Sequence, residues 1–117
     1  MTCLIACLST GKGTWGHISR LIQDGKWDKV FLITNEFGKE NFNNASNAEF
    51  IIINQNQPIK ELIENIQNSL KDRLEGDVAL NIISGTGKEH MSILSALLKL
   101  GIGIRLVSLT QEGIEEI

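Results

Sequence analysis

The feature that most limits how this chain can fold is a series of short apolar runs, each too short to be a helix. Cys3–Leu8 is apolar at every position, and Val78–Ile83 is broken only by Asn81. Runs without an in/out alternation mark strands buried on both faces, as in parallel sheets. Val30–Thr34, Phe50–Ile53 and Ile102–Leu109 extend the series. Between them lie segments of helical period: about Trp15 to Gln23, a helix opened by Pro58, and about Lys88 to Leu100. In the second, Ile59, Leu62, Ile63, Ile66 and Leu70 recur on one helical stripe. Strands alternating with helices imply an α/β three-layer sandwich whose five-stranded, mainly parallel sheet is covered on both faces. Right-handed crossovers then give the strand order 3-2-1-4-5.

Residues 1–117 suffice for one domain with a real core. A net charge of −3 argues against an extended nucleic-acid surface, though not against a small anion held by a few local groups. No apolar run reaches the roughly 18 residues of a membrane helix, and MTCLIACLST lacks the basic start of a signal peptide. Cys3 and Cys7 share one parity of the first strand, about 13 Å apart along it, too far for a disulfide. Both are expected to be buried thiols of a reduced, cytoplasmic protein with no membrane association. The Asn-rich stretch 35–48, anchored only by Phe37 and Phe42, reads as a loop or a weak helix. Asp24-Gly25 closes the first helix, with the glycine at its C-terminal cap. After the fifth strand, Thr110–Ile117 reads as a short polar-ended tail.

Two loops carry the chemistry. After the fourth strand comes Ser84-Gly85-Thr86-Gly87-Lys88, and after the first comes Ser9-Thr10-Gly11-Lys12-Gly13. Both precede helices, and their compositions nearly match. A strand, a glycine loop and a helix start present unpaired backbone N–H groups and the positive end of the helix dipole, which together suit a phosphate. The plainer reading of each is a tight βα turn. With the order 3-2-1-4-5, the sheet reverses direction between strands one and four. The two loops then flank the crevice where open α/β sheets bind ligands.

Neither loop has the Walker spacing, since Ile82 and Glu89 flank Gly87-Lys88 where Gly and Ser/Thr belong, and Ala6 and Gly13 flank Gly11-Lys12. The chain is also read without a G-x-G-x-x-G fingerprint, so neither a nucleoside triphosphatase nor a dinucleotide enzyme is expected. His17 and His90 fall near first helical turns, where each is either an acid–base group or a packing residue. Asn81, inside an apolar strand, is expected to hydrogen-bond a neighbouring loop. No acidic cluster has metal-ligand spacing, so neither a metal nor another cofactor is expected. In the helix after the second loop, Met91, Leu94, Leu97 and Leu98 form the expected buried stripe, with Ile93, Ala96 and Leu100 widening it. Such a helix is covered on more than the sheet side, and a homodimer through residues 88–100 supplies the cover.

Asn81-Ile82-Ile83-Ser84-Gly85-Thr86-Gly87-Lys88 resembles the Asn-x-[Thr/Ser]-Gly-Gly-Thr-Lys motif of CARF domains, the Rossmann-like sensors of CRISPR antiviral defence. Leu8–Gly13 resembles their Ser/Thr/Gly loop after strand one. The likeness implies a homodimer that binds cyclic oligoadenylate, or a similar small nucleotide, in a pocket across its axis. Carried over by position, Ser9, Thr10, Gly11 and Lys12 would be first-loop contacts, and Ser84, Gly85, Thr86, Gly87 and Lys88 second-loop contacts. The chain departs from the pattern in reading Ser-Gly-Thr-Gly-Lys, which shifts Lys88 by one residue. It also ends soon after the fifth strand, where many CARF proteins continue into an effector domain.

The resemblance admits a pure sensor or one that also opens its ligand as a metal-independent ring nuclease. In the latter a ribose 2′-hydroxyl attacks its own phosphate, with Lys88 and Ser9 as the catalytic candidates, stabilising the developing charge. The competing reading is a small transferase or hydrolase acting on a phosphorylated metabolite, with His17 or His90 in acid–base work.

Overall fold

In the computed structural model, residues 2–9, 11–42 and 48–117 are described. The chain runs β1 (Cys3–Cys7), a 3₁₀ turn (Lys12–Thr14), α1 (Trp15–Asp24), β2 (Lys29–Thr34), α2 (Glu36–Asn41) and β3 (Glu49–Ile52). It continues through α3 (Ile59–Leu70), β4 (Asp77–Asn81), α4 (Gly87–Lys99), β5 (Gly103–Thr110) and β6 (Gly113–Glu116). One six-stranded sheet has the order β3-β2-β1-β4-β5-β6. Its first five strands pair in parallel, and β6 returns antiparallel to β5. The α/β class and the order of the first five strands agree with the sequence reading, and the arrangement is consistent with a Rossmann-like fold.

The sheet has a core on each face. Cys3, Ile5 and Cys7 of β1 point to one side with Phe31, Ile33, Val78 and Leu80, beneath Leu62, Ile66 and Leu70 of α3 and Ile93, Ala96 and Leu97 of α4. Leu4, Ala6 and Leu8 point to the other, against Ile18, Leu21 and Ile22 of α1 and Phe42. All five residues of β1 are buried, as an apolar run with no alternation requires. Both cysteines are free and buried.

The sixth strand corrects the expectation of a five-stranded sheet. Thr110 pairs with Gly113 across Gln111-Glu112, so the supposed tail folds back as a hairpin. Gly113 takes the left-handed φ of +107° that closes this two-residue loop, and Ile114 packs on the α1-side core. Within the Asn-rich stretch, α2 is a real though short helix. The Asn35 side chain caps it by accepting from the Gly38 N–H at 2.9 Å. Gly38 is needed there because a Cβ would overlap the Thr34 hydroxyl. The part of that stretch at 43–47 lies outside the described residues. Gly25 does follow α1, but with extended backbone (φ −85°, ψ 157°); its want of a side chain makes room for the Trp27 ring.

The stripe expected on α4 is also corrected. Glu89, Ser92, Ile93, Ala96 and Leu97 face inward, whereas Met91 and Leu98 are 63% and 68% exposed. The helix start sets this rotation. Glu89 is drawn under the preceding loop by its cap, and residues three, four and seven positions on must then share its inward side.

Candidate functional site

The loops after β1 and β4 stand side by side, as the strand order requires, and they are fastened together. The Ser9 backbone N–H donates to Ser84 Oγ at 2.7 Å. Ser9 Oγ donates to the Gly11 carbonyl at 2.9 Å, and Trp15 Nε1 donates to the Ser9 carbonyl at 2.8 Å. Trp15 is itself held edge-on to Phe42, with ring centroids 5.7 Å apart, and tilted against Phe37 at 6.1 Å. Lys12 is exposed, its Nζ lying 5.6 Å from the Trp15 ring and 5.7 Å from Phe37. Thr10, expected among the contacts, lies outside the described residues.

In the second loop each candidate has a distinct part. Ser84 is 1% exposed; its hydroxyl accepts from Ser9 and its carbonyl lies 2.8 Å from His90 Nε2. Ser84 thus serves as the clasp between the loops. Gly85 has φ +108°, and a Cβ there would stand 2.6 Å from Cys7 Sγ. Only glycine lets the chain turn so closely over the sheet. Thr86 caps α4 in a complete capping box: its Oγ1 accepts from the Glu89 N–H at 3.2 Å, and Glu89 Oε1 accepts from the Thr86 N–H at 2.8 Å. The buried Glu89 carboxylate therefore already sits at the helix start, leaving the exposed Gly87 turn and Lys88 as the outward elements. Lys88 is half-buried, and its Nζ donates to the Gln55 carbonyl at 3.1 Å.

Asn81 ties the site to the sheet beneath. Its Nδ2 donates to the Val107 carbonyl at 2.9 Å and its Oδ1 accepts from the Ile83 N–H at 3.2 Å, which fixes the amide's orientation. The same Nδ2 lies 3.2 Å from His17 Nε2, so that nitrogen accepts and the proton resides on Nδ1. His90 is the opposite case: its Nε2 faces a carbonyl and must donate. Both histidines spend Nε2 on internal bonds, and neither offers that nitrogen to a substrate.

The charges follow the same division. Among the described residues the ion pairs are Arg20–Asp24, Lys29–Glu49, Arg73–Glu49, Arg105–Asp77 and Arg105–Glu116. Lys12 and Lys88 take part in none of them, so neither ammonium group at the carboxyl end of the sheet is held in an ion pair among the described residues. Beneath the loop, burial and the Glu89 charge push the Cys7 thiol far above its ordinary value, against a weaker opposing backbone bond from Leu8. Cys7 is therefore inert packing under Gly85. No group of three or more His, Cys, Asp or Glu among the described residues could hold a metal ion.

One open groove adjoins these loops, of about 560 Å³, at the carboxyl ends of β2 and β3. Asn35, Glu36, Phe37, Gln55, Gln57 and Asn65 are among the residues lining it. Asn35 Nδ2 donates to Gln55 Oε1 at 2.8 Å, so the groove wall is tied to the residue that receives Lys88. The sequence reading used Phe37 only as an anchor and missed Trp15, Glu36 and Gln55. It also overlooked that Gly11-Lys12-Gly13-Thr14-Trp15-Gly16 has the G-x-G-x-x-G spacing after β1. The geometry keeps that pattern only in part. A Cβ at Gly13 or Gly16 would meet nothing within 4 Å among the described residues, so Gly16 does not supply the close helix–strand contact that the fingerprint's third glycine provides.

Fold and loops together define an α/β protein with paired glycine loops at the reversal point of its sheet. No known family model matches the chain, and no curated protein sequence matches it. No helix among the described residues is long and apolar enough to cross a membrane.

Proposed function

We propose that this chain is a ligand-sensing domain of the CARF type that binds cyclic oligoadenylate, or a similar small nucleotide, at a homodimer interface. The observation that carries the reading is the Ser9–Ser84 clasp. It supports a single anion-binding edge made of both loops, with Lys12 and Lys88 free of carboxylate partners beside it. The Gly87 and Lys88 backbone amides, which the capping box of α4 leaves unspent, add donors there. The dimer is supported by Met91 and Leu98, 63% and 68% exposed on the outer face of α4. Large apolar side chains left exposed on one helix face favour a partner surface. Two free buried thiols suit the reducing interior of a cell. In the ring-opening version, Lys88 and the loop amides stabilise charge on the phosphate while Ser9 and its loop orient the ribose. Both histidines spend Nε2 internally, which gives the acid–base enzyme reading no support.

Isothermal titration against cyclic tetra- and hexa-adenylate, followed by product analysis, tests the proposal. Lys88→Ala is expected to weaken binding roughly 10- to 100-fold, the worth of a charge-assisted hydrogen bond. Met91→Asp with Leu98→Asp is expected to yield monomers by sedimentation and to lose the shared pocket. Absence of binding to any cyclic oligoadenylate by the native chain refutes the reading.

A further inference from the structure

We infer that the groove at the carboxyl ends of β2 and β3 is a subsite for a purine ribonucleoside, adenosine in particular, with the ribose held by Glu36. The inference deepens the nucleotide-binding reading above and rests on it for the position of the phosphate. Its first support is the chemistry of the lining. The groove carries carboxamides from Gln57 and Asn65 that no internal side-chain bond occupies, one aromatic ring at Phe37 and one carboxylate at Glu36, while Asn35 and Gln55 form its wall by bonding each other. Carboxamides present a donor and an acceptor side by side, the pairing that matches the edge of adenine. The volume of about 560 Å³ falls within the roughly 300–1,000 Å³ usual for small-molecule sites.

A second support is an unmet bond. Gln57 Oε1 is buried and has no hydrogen-bond partner among the described residues, and Gln57 lines this groove. A buried acceptor left empty is rare and calls for a donor, which the exocyclic amino group of adenine supplies. The third support is the position of Glu36. It opens α2 directly after β2, twenty residues beyond Gly16 in the Gly11-x-Gly13-x-x-Gly16 run. In nucleotide-binding α/β folds an acid at that place accepts a hydrogen bond from the ribose 2′-hydroxyl. The Glu36 carboxylate makes no ion pair or side-chain hydrogen bond among the described residues. Because the glycine run does not pack as a pyrophosphate turn, one nucleoside rather than a dinucleotide fits the arrangement. The last support is continuity. Lys88 reaches the groove wall at Gln55, and Lys12 lies 5.7 Å from the Phe37 ring, so both cations flank the groove on the loop side. A nucleoside seated there carries its phosphate toward them.

The test is side-chain amide NMR of the full chain titrated with adenosine and, separately, with 2′-deoxyadenosine, each to millimolar concentration. Calorimetry with cyclic tetra-adenylate runs alongside. Adenosine is expected to shift the Gln57 and Asn65 NH₂ signals and to bind about tenfold more tightly than the deoxy form, the loss expected for one charge-assisted hydrogen bond. Glu36→Gln, an exposed substitution without packing consequences, is expected to abolish that preference. Equal affinity for the two nucleosides overturns the inference. So does a preference that survives Glu36→Gln, a set of shifts lying outside the groove, or no binding of either nucleoside. Binding of cyclic tetra-adenylate with a silent groove refutes the subsite alone. Adenosine in the groove without cyclic tetra-adenylate binding refutes the sensor reading and leaves the subsite standing.

Discussion

Gly85→Ala puts the geometry of the second loop to its sharpest test. The residue sits at φ +108°, where an L side chain is strained, at a cost of about 1–3 kcal/mol. The new Cβ would also stand 2.6 Å from Cys7 Sγ, 3.1 Å from His90 Nε2 and 3.2 Å from Glu89 Oε1. Cys7 is fully buried in the central strand and cannot withdraw, so overpacking adds about 1–3 kcal/mol. The expected total of about 2–6 kcal/mol is a large share of the roughly 5–15 kcal/mol that holds a domain together. The two costs separate in a double-mutant cycle. Cys7→Ala alone should cost about 1 kcal/mol for the lost packing. In the Gly85→Ala background it should instead recover the overpacking part and leave the backbone strain. The assay is urea unfolding followed by tryptophan fluorescence, read as the midpoint at constant m. A cost below about 0.5 kcal/mol for Gly85→Ala, or strict additivity of the two substitutions, refutes the reasoning.

The buried thiols make stability sensitive to alkali. Burial raises Cys3 and Cys7 above the ordinary value of 9.0, so the folded chain keeps protons that the unfolded chain releases above that pH. Stability is therefore full below pH 9 and falls beyond it by about 1.4 kcal/mol per pH unit for each thiol held protonated; a Cys7→Ala melt whose slope between pH 9 and 10.5 matches the native one contradicts the assignment. Thr86→Ala removes the hydroxyl half of the capping box and should cost about 1 kcal/mol in the same urea assay, while Thr86→Ser should restore most of it.

Patterns local in sequence carry most of what is legible of this fold. Cys3–Leu8 declares a two-sided buried strand because none of its positions is polar, and the strand order follows from crossover handedness. The stripe on α3 was legible because Leu62, Ile66 and Leu70 fall at i, i+4 and i+8 and all three are buried. On α4 the same method failed. Apolar residues cover the helix nearly all round, so periodicity could not choose among rotations that the Glu89 cap decides. β6 was hidden because Gly113–Glu116 is short and carries two acids, and its pairing depends on a turn conformation at Gly113. The pairing of the two loops was accessible through topology. The Ser9–Ser84 clasp was not, because a hydrogen bond between residues 75 apart leaves no trace in spacing. Trp15 followed a legible glycine loop, but its role as a prop under Ser9 required knowing that Phe37 and Phe42 close around it.

The hydrogen bonds around the site form a connected path with a consequence for the proposed sensor reading. Ser9 joins Ser84, Asn81 joins the loop after β4 to β5 and faces His17 of α1, Lys88 joins Gln55, and Asn35 joins Gln55. A ligand touching either loop or the groove therefore meets a framework already ordered, and little affinity is lost to arranging it. A sensor must nevertheless bind one state better than another. Of the helices on this path, α4 carries two large exposed apolar side chains, Met91 and Leu98. Its first turn bears Lys88, and Met91 and Leu98 follow at three and ten positions beyond. Any ligand that draws Lys88 away from the Gln55 carbonyl acts on the helix whose outer face supports the proposed dimer. Under the sensor reading, the difference between free and bound states is accordingly expected in how two α4 helices meet, rather than within the sheet.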